Sequence, residues 1–514
     1  GGCRVRGWVL AFEARMVENL GVTSRFRPVM RDQLYLLPED VRDWVPVGHP
    51  ALFVAELVES LDLAEFYAGY RGSPDRGRPA YHPVAMVGIV LYASMTAEVS
   101  SRRIEKLLVT DAGFRVVAAN ERPDHSTICR FLNRHRDALS DLFDQVVGLA
   151  AQAGLVDPTL VAVDGTKMAG DASKARNESL GDLRARFNDW ADEVEATDAA
   201  ETAAEESNPP PEPVPEMADR ARMREWIRRR LAERDGEADD RKMNTVDPDS
   251  GLLPRSGGGW TQGYNAQAAA VSGGIVVAAE VTANPADTTV LDTMVDAIDD
   301  AVAAATGEHT GVVVADAGYW HTDLVETIDN DPDRADLLVA TGRRVPTQAP
   351  EAIPEPDPAA HAAALAEYRA ALDAEHARRV EVIARVAAGE LLIREGAQAL
   401  GLSIARVGEL KLAYQHGGPD AIAPRSLPGR PPPRPPRAPT RHARARHTMD
   451  TRLASPAGHS LYRQRQAIIE PVFGDIKTNR RITRFLRRGI DNVRTEWRWI
   501  LTGHNLTLIH QHSP

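Results

Sequence analysis

Apolar and polar positions recur along this chain in two rhythms. From Pro50 to about Leu155 the apolar residues return every third or fourth position, as in "HPVAMVGIVLYASMTAEVSSRRIEKLLVTDAGFRVVAA". That spacing predicts helices, with a break near Thr96 to Ser101. In "RPDHSTICRFLNRHRDALSDLFDQVVGLA" Asp124 or Ser126 is suited to cap a helix, and Ile128, Phe131, Leu132 and Leu139 mark its buried face. Arg130, Asn133, Arg134 and Arg136 mostly point elsewhere, as a solvated basic face or as a surface for DNA.

From Leu160 the period changes. "LVAVDGTKM" opens with four apolar residues and reads as a buried strand that runs into Asp164. An ionised carboxylate there is costly to bury without a partner. Asp-Gly is also a common turn dipeptide, so Asp164 either ends the strand or meets a cation. "GYNAQAAAVSGGIVVAAEVTANPADTTV" predicts two strands joined at Ser272-Gly273-Gly274, and Leu291 to Ala305 a helix. "GVVVADAGYW" is a second apolar strand ending in an aspartate, Asp316, and "ADLLVAT" a further short strand. This order predicts an α/β fold, a mixed sheet with helices on its faces.

Two stretches interrupt the pattern. Residues 208–216, "NPPPEPVPE", form a proline-rich acidic link between the solvated helices of "RARFNDWADEVEA" and "MREWIRRRLAERDGE". Pro346 to Ser455 contains an alanine-rich helical stretch, Ala359 to Ala388, and then proline and arginine. "SLYRQRQAIIEPVFGDIKTNRRITRFLRRG" is helix-like and cationic, with a kink or restart expected at Pro471, and a closing helix runs through Trp497 to His510. The expected divisions are a leader, 1–29; an all-α domain, 30–154; a core, 155–345, with an acidic insertion at about 185–250; a helical insertion, 346–455; and the rest of the core, 456–514.

Charge changes the picture only when taken locally. The 514 residues carry 61 Lys and Arg against 73 Asp and Glu, a formal charge of −12, which by itself argues against nucleic acid. Ala185 to Asp249 holds much of the acid, however, and Pro424 to Arg498 a dense set of arginines. Charges beyond a Debye length are largely screened, so a basic segment attracts phosphate whatever the distant total. With only Cys3 and Cys129 there is no disulfide framework and no cysteine zinc site, which suits a reducing cytoplasm. No apolar run approaches a membrane span, and residues 1–29 do not read as a signal peptide; they are either ordered or a translated leader before Met30.

A third carboxylate joins Asp164 and Asp316. Glu470 stands among Ala467, Ile468, Ile469, Val472 and Phe473. Three acids from three elements suit hard divalent cations, and two such ions can activate an attacking oxygen and stabilise a leaving one. "AVDGTKM", "VVADAGYW" and "YRQRQAIIEPVFGDIKTNRR" resemble, in that order, the three acidic motifs of DDE transposases from bacterial insertion sequences. The helical stretch from Tyr81 to Leu139 is similar to the N-terminal domain of the same group.

The resemblance implies a ribonuclease H-like catalytic core, an N-terminal all-α DNA-binding domain and a helical insertion before the last catalytic helix. It implies Mg²⁺ or Mn²⁺, two ions, with Asp164 bridging them and Asp316 and Glu470 each holding one. The family often carries a Tyr and an Arg before the Glu and a Lys after it. Lys477, seven residues beyond Glu470, matches. Tyr462 and Arg465 keep their mutual spacing but lie one residue further from Glu470 than the common pattern, and Arg463 would share its helical face. These residues, with Arg480, Arg481, Arg484, Arg130, Arg134 and Arg406, are the expected DNA contacts, against the alternative of solvated cationic faces.

In "REGAQALGLSIARVGELKLAYQHGG" Ala397, Gly401 and Val407 have helix-turn-helix spacing, or that of an ordinary helical hairpin. His82, His125, His321 and His504 lack metal-ligand spacing, the glycines 257–259 read as a flexible joint, and Trp320 either stacks on a flipped base or, the favoured reading, packs the core. The expected function is therefore transposition. The chain would bind the terminal inverted repeats of its element, cleave strands to expose 3′-hydroxyls and join these to target DNA. A dimer would form in the synaptic complex, with no nucleotide cofactor and no membrane. A metal-dependent nuclease without strand joining, and an inactive DNA-binding repressor, are the rival expectations.

Overall fold

The structure is a computed structural model that describes residues 40–68, 80–186 and 227–513, apart from short breaks at 235, 256–257, 343, 354–355, 428–429 and 436–437. The leader, Met30 and the 208–216 link lie outside the described residues. Seven helices open the described chain: α1 Pro50–Ser60, α2 Ala64–Ala68, α3 Pro83–Met95, α4 Ser101–Thr110, α5 Ala112–Val117, α6 His125–Arg134 and α7 Arg136–Gln152. The predicted break falls between α3 and α4. Asp124 caps α6 by accepting the Thr127 N–H at 2.7 Å, and Ile128, Phe131 and Leu132 are buried as their spacing predicts.

The sheet follows. Strand β1, Leu160–Ala169, lies between β5, Trp260–Val271, antiparallel to it, and β7, Val312–Ala315, parallel to it. Strand β8, Asp336–Val339, continues in parallel on β7, and β6, Val276–Thr282, pairs antiparallel with β5 on its other edge. The core order is thus β6–β5–β1–β7–β8. The hairpin at Ser272–Gly274 forms where it was predicted. Short strands β2, Asn177–Ser179, and β3, Lys242–Asn244, pair only with each other, and β4, Gly251–Pro254, pairs with the start of β5. Of the glycines read as a joint, Gly257 lies outside the described residues, and Gly258 and Gly259 adopt positive φ between β4 and β5.

Helices α8, Leu291–Thr306, and α9, Thr322–Asp329, connect β6, β7 and β8. The insertion forms α10, Pro358–Ala387, α11, Ile393–Leu400, and α12, Ile404–Gly417, around their own small core of Ile383, Ala397, Leu400, Val407, Leu410 and Ile422. Then come α13, Arg441–Ala454, α14, Pro456–Gly474, and α15, Ile490–His512. Helix α14 does not restart at Pro471. It continues to Gly474, and the irregularity comes as a π-helical turn at Asp475–Asn479. Pro471 is exposed, so its missing N–H opens the helix toward solvent, where the freed carbonyl can be hydrated.

Helix α14 crosses β1, β5 and β7, whereas α15 packs on β6 and on α3 and α7. One continuous apolar core therefore serves the N-terminal helices and the sheet. Trp497 donates its indole N–H to the Gln267 carbonyl at 2.7 Å, and Trp499 donates to Val90 at 2.7 Å. Asn505 pairs with both backbone groups of Val276, accepting its N–H at 2.9 Å and donating to its carbonyl at 2.7 Å.

Candidate active site

Parallel pairing explains why two of the predicted acids meet. Ala162 of β1 stands opposite Val314 of β7. Two residues on, the same register brings Asp164 abreast of Asp316, on neighbouring strands about 4.8 Å apart. Asp164 does not end its strand as the Asp-Gly pair allowed: β1 runs on to Ala169, still paired with β5, whereas Asp316 directly follows β7. Asp164 accepts the Gly165 N–H through Oδ1 at 2.8 Å, and Asp316 caps the turn after β7 by accepting the Gly318 N–H at 2.8 Å. Their remaining oxygens share one cation. Arg465 Nη1 lies 2.9 Å from Asp164 Oδ2, and Nη2 lies 3.9 Å from Asp316 Oδ2. Burial pushes the Asp164 carboxyl upward, and the Arg465 guanidinium pulls it the other way.

Glu470 is not part of this cluster. Arg465, Ile469, Val472 and Ile476 form the inward face of α14 and its continuation, all of them buried. Five residues beyond Arg465, Glu470 is turned away by about 140° at 100° per residue. It is exposed, and among the described residues no three acidic, histidine or cysteine side chains lie close enough to hold a metal ion. Two carboxylates facing one guanidinium nevertheless fit a hard cation, since a positive group already rests between them.

A fourth acid was missed by the sequence. Asp287 Oδ1 accepts from Asn265 Nδ2 at 2.7 Å and from Gln267 Nε2 at 2.9 Å, and the Tyr319 hydroxyl donates to the other end of the Gln267 amide. Burial holds the Tyr319 hydroxyl well above its ordinary range, with Asp287, Asp164 and Asp316 adding to the effect. Asp287 lies in the polar loop "NPADTT", where no periodic signal marks one aspartate; only the amides of β5 single it out. A methyl at Gly165 would run into Gln267 and Asp287, so this corner is closed to any larger residue.

Asp164, Asp287 and Asp316 open into a cleft of about 700 Å³ whose other walls include Thr166, Lys167, Arg255, Asn265 and Lys477. Lys477 donates to the Thr166 hydroxyl and, at 3.1 Å, to the Lys167 carbonyl. Burial lowers its ammonium from the usual value, and Arg255 adds to this. The cleft therefore has acids at one end and cations along the side, an arrangement suited to a phosphodiester.

Other predicted contacts are spread more widely. Arg463 is exposed and Tyr462 half-buried on α14. Arg480, expected to face DNA, is enclosed instead: it binds Asp475 at 2.6 Å, the Ser94 carbonyl at 2.9 Å and Thr507 at 2.7 Å. It ties α3 to α15. Arg484 pairs with Asp171 at 2.6 Å, whereas Arg481 is exposed in the left-handed region at φ 57°. Arg130 and Arg134 are exposed on α6, and Arg406 on α12 pairs with Glu409 at 2.6 Å. Trp320 is half-buried, with its ring edge-on to His442, which fits packing.

Two known families match the chain: a transposase domain over residues 39–134 and a transposase DDE domain over residues 238–506, more than half of its length. The chain belongs to the DDE transposase family. As such it is a nucleic-acid-processing enzyme whose partner is DNA. No curated protein and no solved structure matches it. In this transposase Asp316 and Glu470 fall within the DDE match, and Arg130 and Arg134 within the N-terminal one. Asp164 lies outside both, and its link to the site is the strand register that sets it beside Asp316. No helix among the described residues is long and apolar enough to cross a membrane.

Proposed function

We propose that this transposase binds the terminal inverted repeats of its own element, cleaves strands there to expose 3′-hydroxyls, and joins these to target DNA. The observation that carries the reading is the pair Asp164 and Asp316, abreast on parallel strands, gathered around one cation in a cleft with Lys477 and Arg255. The strand order, three antiparallel and two parallel about β1, supports a ribonuclease H-like core.

Asp164 and Asp316 would hold divalent metal, Mg²⁺ or Mn²⁺, with Glu470, exposed on the outer side of α14 in this structure, as the third carboxylate that the motif suggests. When bound, such ions supply Lewis-acid activation of a water or 3′-hydroxyl and stabilise the leaving oxygen. The chain's own groups do the rest. Lys477 and Arg255 neutralise the phosphate, Asp287 fixes the amides beneath the acids, and Tyr319 holds Gln267 in place. Tyr462, Arg463, Arg481 and Arg484 offer further contacts, and Arg130 and Arg134 on α6 would meet the DNA backbone.

Helices α11 and α12, joined by the turn at Gly401-Leu402-Ser403, have the form of a helix-turn-helix and would carry Arg406 to a groove. Joining two ends asks for a dimer in the synaptic complex. Strand-transfer assays on labelled end DNA test the reading: joined products support it, cleavage alone points to a nuclease, and a mobility shift without cleavage to a repressor. Asp316→Asn is expected to lower product formation by at least about a thousandfold while end binding persists. Undiminished chemistry would remove Asp316 from the mechanism.

A further inference from the structure

The sequence pattern offers Arg465 as a phosphate contact, yet its guanidinium is spent on the two acids. Resting on the function proposed above, we propose that Arg465 is the resident counter-cation of Asp164 and Asp316, exchanged for divalent metal only when a DNA phosphate draws it away. DNA and metal would then bind cooperatively through this one side chain.

Three observations carry this. The guanidinium reaches both acids through its two Nη groups, at 2.9 Å and 3.9 Å, so a single charge serves two carboxylates. A divalent ion held by Asp164 and Asp316 would share their surroundings with that charge, with little water to screen it, because only 11% of the Arg465 side chain is exposed. The ion and the guanidinium therefore exclude one another. Third, Arg465 Nε is buried and makes no hydrogen bond. The side chain is held at its Nη end and has a donor to gain by moving, and a phosphate is the acceptor that guanidinium geometry matches best. The cleft next to it, with Lys477 and Arg255, is where such a phosphate would arrive.

Reciprocity follows from linkage: whatever phosphate does for metal affinity, metal does for phosphate affinity. Arg465 is a positioning residue in this scheme. It holds the acids apart from stray cations until substrate is present.

The experiment measures Mn²⁺ binding by the full chain, with and without a short duplex at low salt, in the wild type, Arg465→Met and Asp164→Asn. Wild type is expected to bind Mn²⁺ at least about tenfold tighter with DNA than without. Arg465→Met is expected to bind it at least about tenfold tighter than wild type in the absence of DNA, with little added by the duplex. Asp164→Asn is expected to lose the site. Because Arg465→Met leaves two acids without their partner, its melting temperature is followed too, and Mn²⁺ should raise it more than in wild type. Equal Mn²⁺ affinity in Arg465→Met and wild type, with Asp164→Asn still abolishing binding, overturns the exchange and leaves the proposed function standing. If the methionine variant does not fold, DNA-independent Mn²⁺ affinity in wild type overturns it alone. Mn²⁺ binding unaffected by Asp164→Asn would instead remove the metal from the acid pair and take the proposed function with it.

Discussion

Glu496 on α15 is completely enclosed, yet its oxygens accept the backbone N–H groups of Leu486, at 2.9 and 3.1 Å, and Arg487, at 2.9 Å. Burial pushes its carboxyl from 4.5 to about 7 in spite of these bonds. Between the two values the native state keeps a proton that the unfolded chain has lost, so rising pH costs stability in that window and no further above it. The whole window is worth about 3 kcal/mol. Urea unfolding of wild type and Glu496→Gln across pH 4.5–8 should show the wild type losing that amount relative to the variant. Parallel curves would mean the carboxyl titrates normally. Residues of this kind are not legible in a sequence: Glu496 lies in "RTEWRW", where nothing in the pattern sets it apart from the charged residues around it. The aspartates were legible because each follows directly on an apolar run, Leu160–Val163 or Val312–Ala315, although β1 continues past Asp164 to Ala169. That Arg465 would sit between them was not, since it depends on a contact across 301 residues.

Elements were read best where a period repeats. The β5–β6 hairpin, α8, β7 and α15 form where expected, because each has an apolar face long enough to show its rhythm, whereas β1 starts as expected but runs five residues past Asp164, where its apolar run has stopped. Short β2, β3 and β4 escaped, as three or four residues carry no period. The phase of α14 escaped for another reason. "AIIE" gives Glu470 an apolar setting, yet it is Ile469 that continues the face set by Arg465, and Glu470 follows one step past it. The cationic run after α14 likewise conceals Arg480, whose enclosure is settled by α3 and α15. Strand β6 shows how one side chain can finish an element. Its Val276 takes both bonds from Asn505, as a neighbouring strand would. Replacing Asn505 with Ala leaves two buried backbone groups unpaired and is expected to cost about 2–4 kcal/mol. Chemical denaturation measures it, and hydrogen exchange at Val276 should speed up at the same time.

At the scale of the molecule, the two matched families meet across α15. Gly503 lies against the backbone of Ser94 so closely that an added methyl has nowhere to go. Gly503→Ala is therefore expected to destabilise the chain by about 1–3 kcal/mol, read as a lower unfolding midpoint. It should also loosen Arg480, which bonds the carbonyls of both Ser94 and Gly503. The insertion of α10–α12 keeps a core of its own and should keep its helicity in this variant. The indole bond from Trp499 to Val90 joins residues 409 positions apart. During translation the first helices emerge long before the segment that seals them, so the flank that α15 covers must wait until the whole sheet and the insertion have been made. A ribosome that stops early leaves a sticky fragment instead of a working half. Damaged copies of such a gene would thus yield material for chaperones and proteases, and no free DNA-binding module.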